Sequence, residues 1–291
     1  MKPPVFDYYA PETLEEALAL LAQYGDEAKV LAGGQSLVPA MNFRLARPEI
    51  LIDLGRLQDL AGIEAVDGGG AVRIGAMTRH CTVERNPVVE RYLPLVHQTM
   101  PWVAHPQIRN RGTFGGSLAH ADPAAELPAV LLTLGGRCLA ERQGGRRWID
   151  ADDFYTGLFE TALEPEEVLT AVEMPSTQPG DGWAFQEMSR RHGDFALCGV
   201  AVKVRMEEGL LTDARVGLLS VGDGPVLVSE TLIEALVGET PSAGRIQDAA
   251  VAVAEGIDPP GDLHATPAFR KHLAETLTRR ALTEAIASAS G

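Results

Sequence analysis

The chain has 291 residues, 45% of them hydrophobic, which is length enough for two domains with sizeable cores. Its 25 basic and 40 acidic residues leave a formal net charge of −15, a surface that repels nucleic acid and anionic membrane. No stretch reaches the roughly 20 apolar residues of a membrane span, the N-terminus lacks a signal peptide's apolar core, and Cys81, Cys138 and Cys198 show no C-x-x-C spacing. A cytoplasmic location and the absence of a metal centre on this chain are therefore expected.

Phe6 to Pro11 reads as an extended lead-in. Thr13 and Glu16 form a capping-box pair at the start of a helix whose apolar face is Ala17, Leu18, Leu20, Leu21 and Tyr24. Gly25 is placed to close it. Ala28 to Leu31 and Ile50 to Leu54 read as short buried strands. Arg44 and Arg47, between them, read as solvated surface arginines. Residues 1–55 thus form a small α+β unit, and 56–176 a second one. In the second unit Ala71 to Ala76 alternates as a strand. Residues 82–100 are helical with a break at Pro94. Asp122-Pro123 opens a helix unless Pro128 moves its start a turn later. Arg137 to Ile149 is a hairpin turning at Gln143-Gly144-Gly145, and Val168 to Val172 a further strand. Residues 176–182 form a linker. Three strands (183–188, 196–206, 214–221) and three helices (229–237, 245–254, 267–288) follow, a compact C-terminal domain over 177–291.

Two stretches carry chemistry. Ala32-Gly33-Gly34-Gln35-Ser36-Leu37 follows a strand with a Gly-Gly turn and a hydroxyl. Successive backbone N–H groups in such a turn can point at an anion, and no Cβ blocks its approach. Thr113-Phe114-Gly115-Gly116-Ser117 repeats the pattern about 80 residues later. The pattern is neither a phosphate-binding Walker loop nor the G-x-G-x-x-G fingerprint. Two such turns facing each other enclose a dinucleotide; spacing alone leaves open whether they face. His97, His105 and His120 read as structural ahead of bases or flavin contacts, Arg109 and Arg111 as loop braces ahead of FAD contacts, and Asp122 as a helix cap ahead of a proton-transfer group. No acid–base pair or nucleophile stands out.

Leu31 to Pro39 resembles the first FAD loop of the flavin (medium) subunits of the molybdenum hydroxylases, the carbon monoxide dehydrogenase and xanthine dehydrogenase family. Arg109 to Pro123 resembles their second. Ile74 to Thr78 and Arg191 to Ala196 resemble further family segments, in the same order along the chain. The resemblance implies an α+β fold: a two-subdomain FAD-binding domain of the vanillyl-alcohol oxidase (PCMH) type, then a small C-terminal domain with a three-stranded sheet and helices. It implies that Ala32, Gly33, Gly34, Gln35, Ser36, Leu37, Thr113, Phe114, Gly115, Gly116 and Ser117 wrap the FAD diphosphate and ribityl chain. Val103 would lie by the adenine, and Glu126 would contact the cofactor. Leu169 and Gln186 would sit near the isoalloxazine, and Phe195 where relatives carry Tyr. Gln186 stands where some relatives have Lys, so both departures bear on flavin tuning.

No His or Cys occupies either turn, so the FAD is expected to be non-covalent. The family further implies a molybdopterin-binding large subunit and an iron–sulfur small subunit with [2Fe-2S] clusters. A dimer of heterotrimers and an external electron acceptor complete the expectation. A stand-alone flavoprotein oxidase of the same superfold, and a non-catalytic assembly protein that kept the fold, are the alternatives. The substrate, whether carbon monoxide, a purine, an N-heterocycle or an aldehyde, is not legible in this chain.

Overall fold

The computed structural model describes residues 2–228 and 234–289. Its first sheet is parallel: β1 (Asp7–Tyr9), β3 (Ile50–Asp53) and β2 (Ala28–Leu31), in the order β1-β3-β2. Helix α1 (Leu14–Tyr24) covers it with Ala17, Leu18 and Leu21. Thr13 caps α1 by accepting from the Glu16 N–H at 3.2 Å, while the Glu16 carboxylate accepts from the Glu12 N–H at 2.9 Å. Gly25 ends the helix with φ +50, a conformation an L side chain rarely adopts. A six-residue helix, α2 (Leu37–Asn42), leads out of the first Gly-Gly stretch.

The second sheet is antiparallel and five-stranded. It runs β4 (Ile63–Val66), β5 (Ala71–Gly75), β10 (Val168–Pro175), β6 (Arg137–Arg142), β7 (Gly145–Asp150). Prolines 87 and 94 divide the predicted helical stretch into α3 (His80–Glu84), α4 (Pro87–Tyr92) and α5 (Pro94–Thr99). Two short helices, α6 (Pro106–Arg109) and α7 (Phe114–His120), precede α8 (Glu126–Leu134). The helix expected to open at Asp122-Pro123 starts at Glu126, with Pro128 inside its first turn. Asp122 instead accepts from the Ala124 N–H at 2.9 Å, closing a local turn. Every residue of α8 is buried, because one side packs on the five-stranded half and the other on the C-terminal sheet. Between β7 and β10 lie α9 (Ala151–Phe154) and a small hairpin of β8 (Tyr155–Gly157) and β9 (Glu160–Thr161).

The three strands expected at the C-terminus form, as β11 (Asp181–Ser189), β12 (Ala196–Glu207) and β13 (Leu210–Leu219). A two-residue edge strand, β14 (Val226–Leu227), makes the sheet four-stranded. It was too short to show as a pattern. Helices α10 (Ala243–Glu255) and α11 (Pro267–Ala289) cover the face opposite α8. Most of the helix expected at 229–237 lies outside the described residues. The N-terminal half of the chain thus supplies one cover of the C-terminal sheet. Among the described residues no helix is long and apolar enough to cross a membrane.

Candidate functional site

The two Gly-Gly stretches meet. A Cβ built on Gly33 would lie 2.5 Å from the Arg111 carbonyl oxygen and 2.8 Å from the Gly112 Cα. One built on Gly116 would lie 3.3 Å from the Ala32 Cβ. Such approaches exist only because those side chains are missing. The second stretch is not a turn. Gly115 and Gly116 form the first turn of α7, capped by Thr113, whose Oγ1 accepts from the Gly116 N–H at 3.2 Å. Phe114 and Gly115 donate to the Thr78 and Ala76 carbonyls, both at 2.9 Å, which docks α7 on the end of β5.

The donors of that turn are therefore spent within the protein. The first stretch is different. Among the described residues, the backbone N–H groups of Gly33, Gly34, Gln35, Ser36 and Leu37 find no protein acceptor. Gly34 takes φ +73, which curls the run, and the Gln35 amide ties back to the Gly33 carbonyl at 3.1 Å. Five consecutive unspent donors in a curled loop form a nest for an anion. The diphosphate of FAD fits this nest, and the close-packed glycines leave it open.

Behind the loops stands Arg109, buried, with a bidentate pair to Glu84 at 2.9 and 3.1 Å. Its Nη1 also donates to the Val103 and Ala104 carbonyls at 3.0 and 3.1 Å. It braces the Val103 segment, as expected of it. The Arg79 guanidinium hydrogen-bonds the Arg111 carbonyl, the same group that Gly33 approaches. Burial lowers the His80 ring to about 4, so it is neutral beneath Gly112.

Three further expected residues come into the same region. Leu169, buried, lies on β10 beside α7 at an irregularity where the Thr170 carbonyl accepts from Ala76. The loop carrying Phe195 folds onto the Val103 segment. Gly193, at φ +88, lies against the His105 ring, and Trp102 meets His192 edge-on at 5.8 Å. Phe195 itself is 72% exposed, so it is not a core residue.

Gln186 does not join them. Strand alternation sends its side chain toward α11, where Nε2 donates to Glu284 Oε2 at 2.7 Å. Its neighbour Glu187 points the other way, into the seam with α8, where Glu126 sits. Burial pushes the Glu187 carboxyl up to about 8, and the Glu126 charge adds to this. Glu126 is pushed up to about 7 by burial, opposed by its own backbone N–H and reinforced by Asp122. Glu187 and His80 were missed in the sequence. An acidic residue at an inward position of an otherwise apolar strand was the available signal for Glu187; His80 had none.

Comparison with known proteins identifies the family of the chain. Residues 4–177 match the model of the FAD binding domain in molybdopterin dehydrogenase, and residues 183–285 that of the CO dehydrogenase flavoprotein C-terminal domain. The chain belongs to the flavoprotein family of the molybdopterin dehydrogenases. It is a FAD-containing oxidoreductase subunit of the carbon monoxide dehydrogenase type. It is 42% identical to the 6-hydroxypseudooxynicotine dehydrogenase complex subunit alpha of Paenarthrobacter nicotinovorans, over 98% of this chain and 96% of the relative. Its structure matches that of carbon monoxide dehydrogenase from Hydrogenophaga pseudoflava with a TM-score of 0.95, at 38% identity and 99% coverage of both chains. Quinoline 2-oxidoreductase from Pseudomonas putida matches with a TM-score of 0.93, at 37% identity and full coverage of both. The matches extend over the whole chain, from the parallel N-terminal sheet to the C-terminal one.

Proposed function

We propose that this chain is the electron-transfer subunit of a multi-subunit molybdenum hydroxylase, taking electrons from an iron–sulfur subunit with [2Fe-2S] clusters and passing them to an external acceptor. A molybdopterin-binding large subunit oxidises the substrate, and two heterotrimers pair in the cytoplasm. The observation that carries this is the nest of N–H groups from Gly33 to Leu37 against Arg111 and Gly112. Three unpaired cysteines suit a reducing compartment. The two-domain division at 176/177, with subdomains 1–55 and 56–176, belongs to the same reading.

Bound FAD supplies exchange between two-electron and one-electron carriers. The chain's own residues hold it. The Gly33 to Leu37 donors take the diphosphate; Thr113 and the glycines of α7 let the loops close together; Phe195 offers a ring face at the exposed end. The similar proteins named above carry different substrates in their names, at comparable identity to this chain. Substrate choice is thus assigned to another subunit.

The test is reconstitution. The FAD-loaded chain is mixed with the neighbouring molybdopterin and iron–sulfur gene products. Flavin absorbance is followed as carbon monoxide, a purine, an N-heterocycle and an aldehyde are added in turn. Bleaching is expected only in the complete mixture. Bleaching of the chain alone would overturn the subunit reading in favour of a stand-alone oxidase.

A further inference from the structure

Helix α2 and the residues after it are apolar and uncovered. Of Leu37, Val38, Pro39, Ala40, Met41, Phe43 and Leu45, only Met41 is buried. Val38 is 41% exposed, Phe43 67% and Leu45 84%. A six-residue helix that buries one side chain gains little from its own packing. Yet the segment is firmly held. Phe43 donates to the Pro39 carbonyl at 3.0 Å, Arg44 to Met41 at 2.9 Å and Leu45 to Ala40 at 2.9 Å. The Arg47 Nε ties to the Arg44 carbonyl at 3.0 Å. Arg44 adopts φ +61, a left-handed conformation costly for a residue with a Cβ. The backbone is thus strained into a turn that turns Phe43 and Leu45 out to water.

Charge makes the segment unlike the rest of the chain. Residues 28–48 carry Lys29, Arg44 and Arg47 and no acidic residue, in a protein of net charge −15. The patch is also continuous with the anion nest: a Cβ on Gly34 would lie 3.3 Å from a Val38 methyl.

We propose that Val38, Phe43 and Leu45, flanked by Arg44 and Arg47, form the docking surface for a partner protein that presents an apolar recess rimmed by carboxylates. On the subunit reading above, that partner is the iron–sulfur subunit. The patch borders the loop that the same reading gives to the cofactor's diphosphate, so a partner seated on it touches the cofactor-binding loop itself. A second copy of this chain is the poorer occupant. A two-fold contact through the patch would set Arg44 and Arg47 against their own counterparts. Exposed apolar patches held in a fixed conformation mark interfaces, and matched rim charges steer the encounter and fix its register.

The experiment co-expresses the full chain with the iron–sulfur and molybdopterin subunits of its own organism. Three variants are compared: Phe43→Asp with Leu45→Asp, Arg44→Glu with Arg47→Glu, and Leu263→Asp. Leu263 is an exposed residue on the C-terminal half and serves as control. Melting temperature and FAD per chain are measured on each, and subunit stoichiometry is read by size exclusion and native mass spectrometry. Both tip variants are expected to keep FAD and fold while affinity for the iron–sulfur subunit drops at least tenfold. The wild-type and Leu263→Asp chains assemble fully, and wild-type assembly weakens as salt rises.

Tip variants that assemble like wild type would overturn the docking surface and leave the subunit reading standing. Loss of the molybdopterin subunit alone would overturn the choice of partner. A tip variant that only converts a homodimer to a monomer would show a self-interface and overturn the proposal. Failure of the wild type to bind either subunit would remove the subunit reading, and the proposal with it. If the aspartate pair unfolds the chain, the arginine pair decides alone, since both arginines are exposed.

Discussion

Glu187 on β11 faces Glu126 at the start of α8, two buried carboxyls from opposite halves of the chain with no cation paired to either among the described residues. Both are held above the ordinary carboxylate value of 4.5, Glu187 at about 8 and Glu126 at about 7. The unfolded chain releases these protons near 4.5, whereas the folded chain keeps them. The stabilisation is whole below 4.5 and is lost as pH rises through 7 and 8. Melting temperature should therefore fall between pH 6 and pH 9. Glu187→Gln should flatten that fall and raise stability at pH 9 by about 2 kcal/mol, or roughly 5 °C. Thermal melts of both proteins across this range check it. Identical pH profiles would mean that Glu187 is hydrated and ordinary.

Gly33→Ala tests the meeting of the two loops. The sequence suggests that a bulkier residue there blocks only the ligand. The structure adds that even a methyl group collides with the Arg111 carbonyl and Gly112. FAD affinity should drop more than tenfold, and the melt should lose roughly 1–3 kcal/mol through overpacking. Flavin-fluorescence titration and a thermal melt read the two effects. At Gly34 the cause differs: its φ of +73 makes Gly34→Ala cost about 1–2 kcal/mol, with no collision closer than 3.3 Å.

Much of this was legible in local pattern. The capped α1, the proline-broken helices and the three long C-terminal strands follow from spacing that physics reads directly. The Gly-Gly pairs were visible as sites but not as different structures. Gly115 and Gly116 are helical because Thr113 caps them and Ala76 accepts a hydrogen bond, and that strand-end partner lies nearly 40 residues away. Gln186 and Glu187 show the other limit. Which of two neighbours faces the seam depends on the register of β11 against β12, where Glu187 opposes Gly199. Register is a long-range property that alternation alone does not fix.

Arg109→Ala should be among the most damaging changes away from the nest. It strands Glu84, which is four-fifths buried, and frees the Val103 and Ala104 carbonyls. Breaking a buried pair of this kind costs about 3–5 kcal/mol. Arg109→Lys should recover little, because an ammonium cannot make the fork that spans Glu84 and two carbonyls. Denaturant melts decide this. A lysine variant as stable as wild type would mean that the charge matters and the fork does not.

Phe195 offers the last test, since it joins exposure to a held loop. Its ring is 72% exposed, yet the loop beneath is pinned by Gly193 against His105 and by His192 against Trp102. A large apolar ring presented in this way serves a bound planar group better than it serves the core. Phe195→Ala should weaken FAD binding, because a stacked aromatic contact is worth about 0.5–1.5 kcal/mol beyond its buried area. That predicts a roughly threefold to tenfold rise in Kd. Phe195→Tyr keeps the ring, so affinity should stay within about twofold. Its hydroxyl sets a dipole beside the flavin in exchange for a hydrogen bond to water, a swap that is small in net free energy. Flavin spectrum and reoxidation rate should therefore change while Kd does not. Neither variant should move the melting temperature of the apoprotein, because an exposed ring contributes little to the core. An apoprotein destabilised by Phe195→Ala, with unchanged flavin titration, would return Phe195 to a purely structural role.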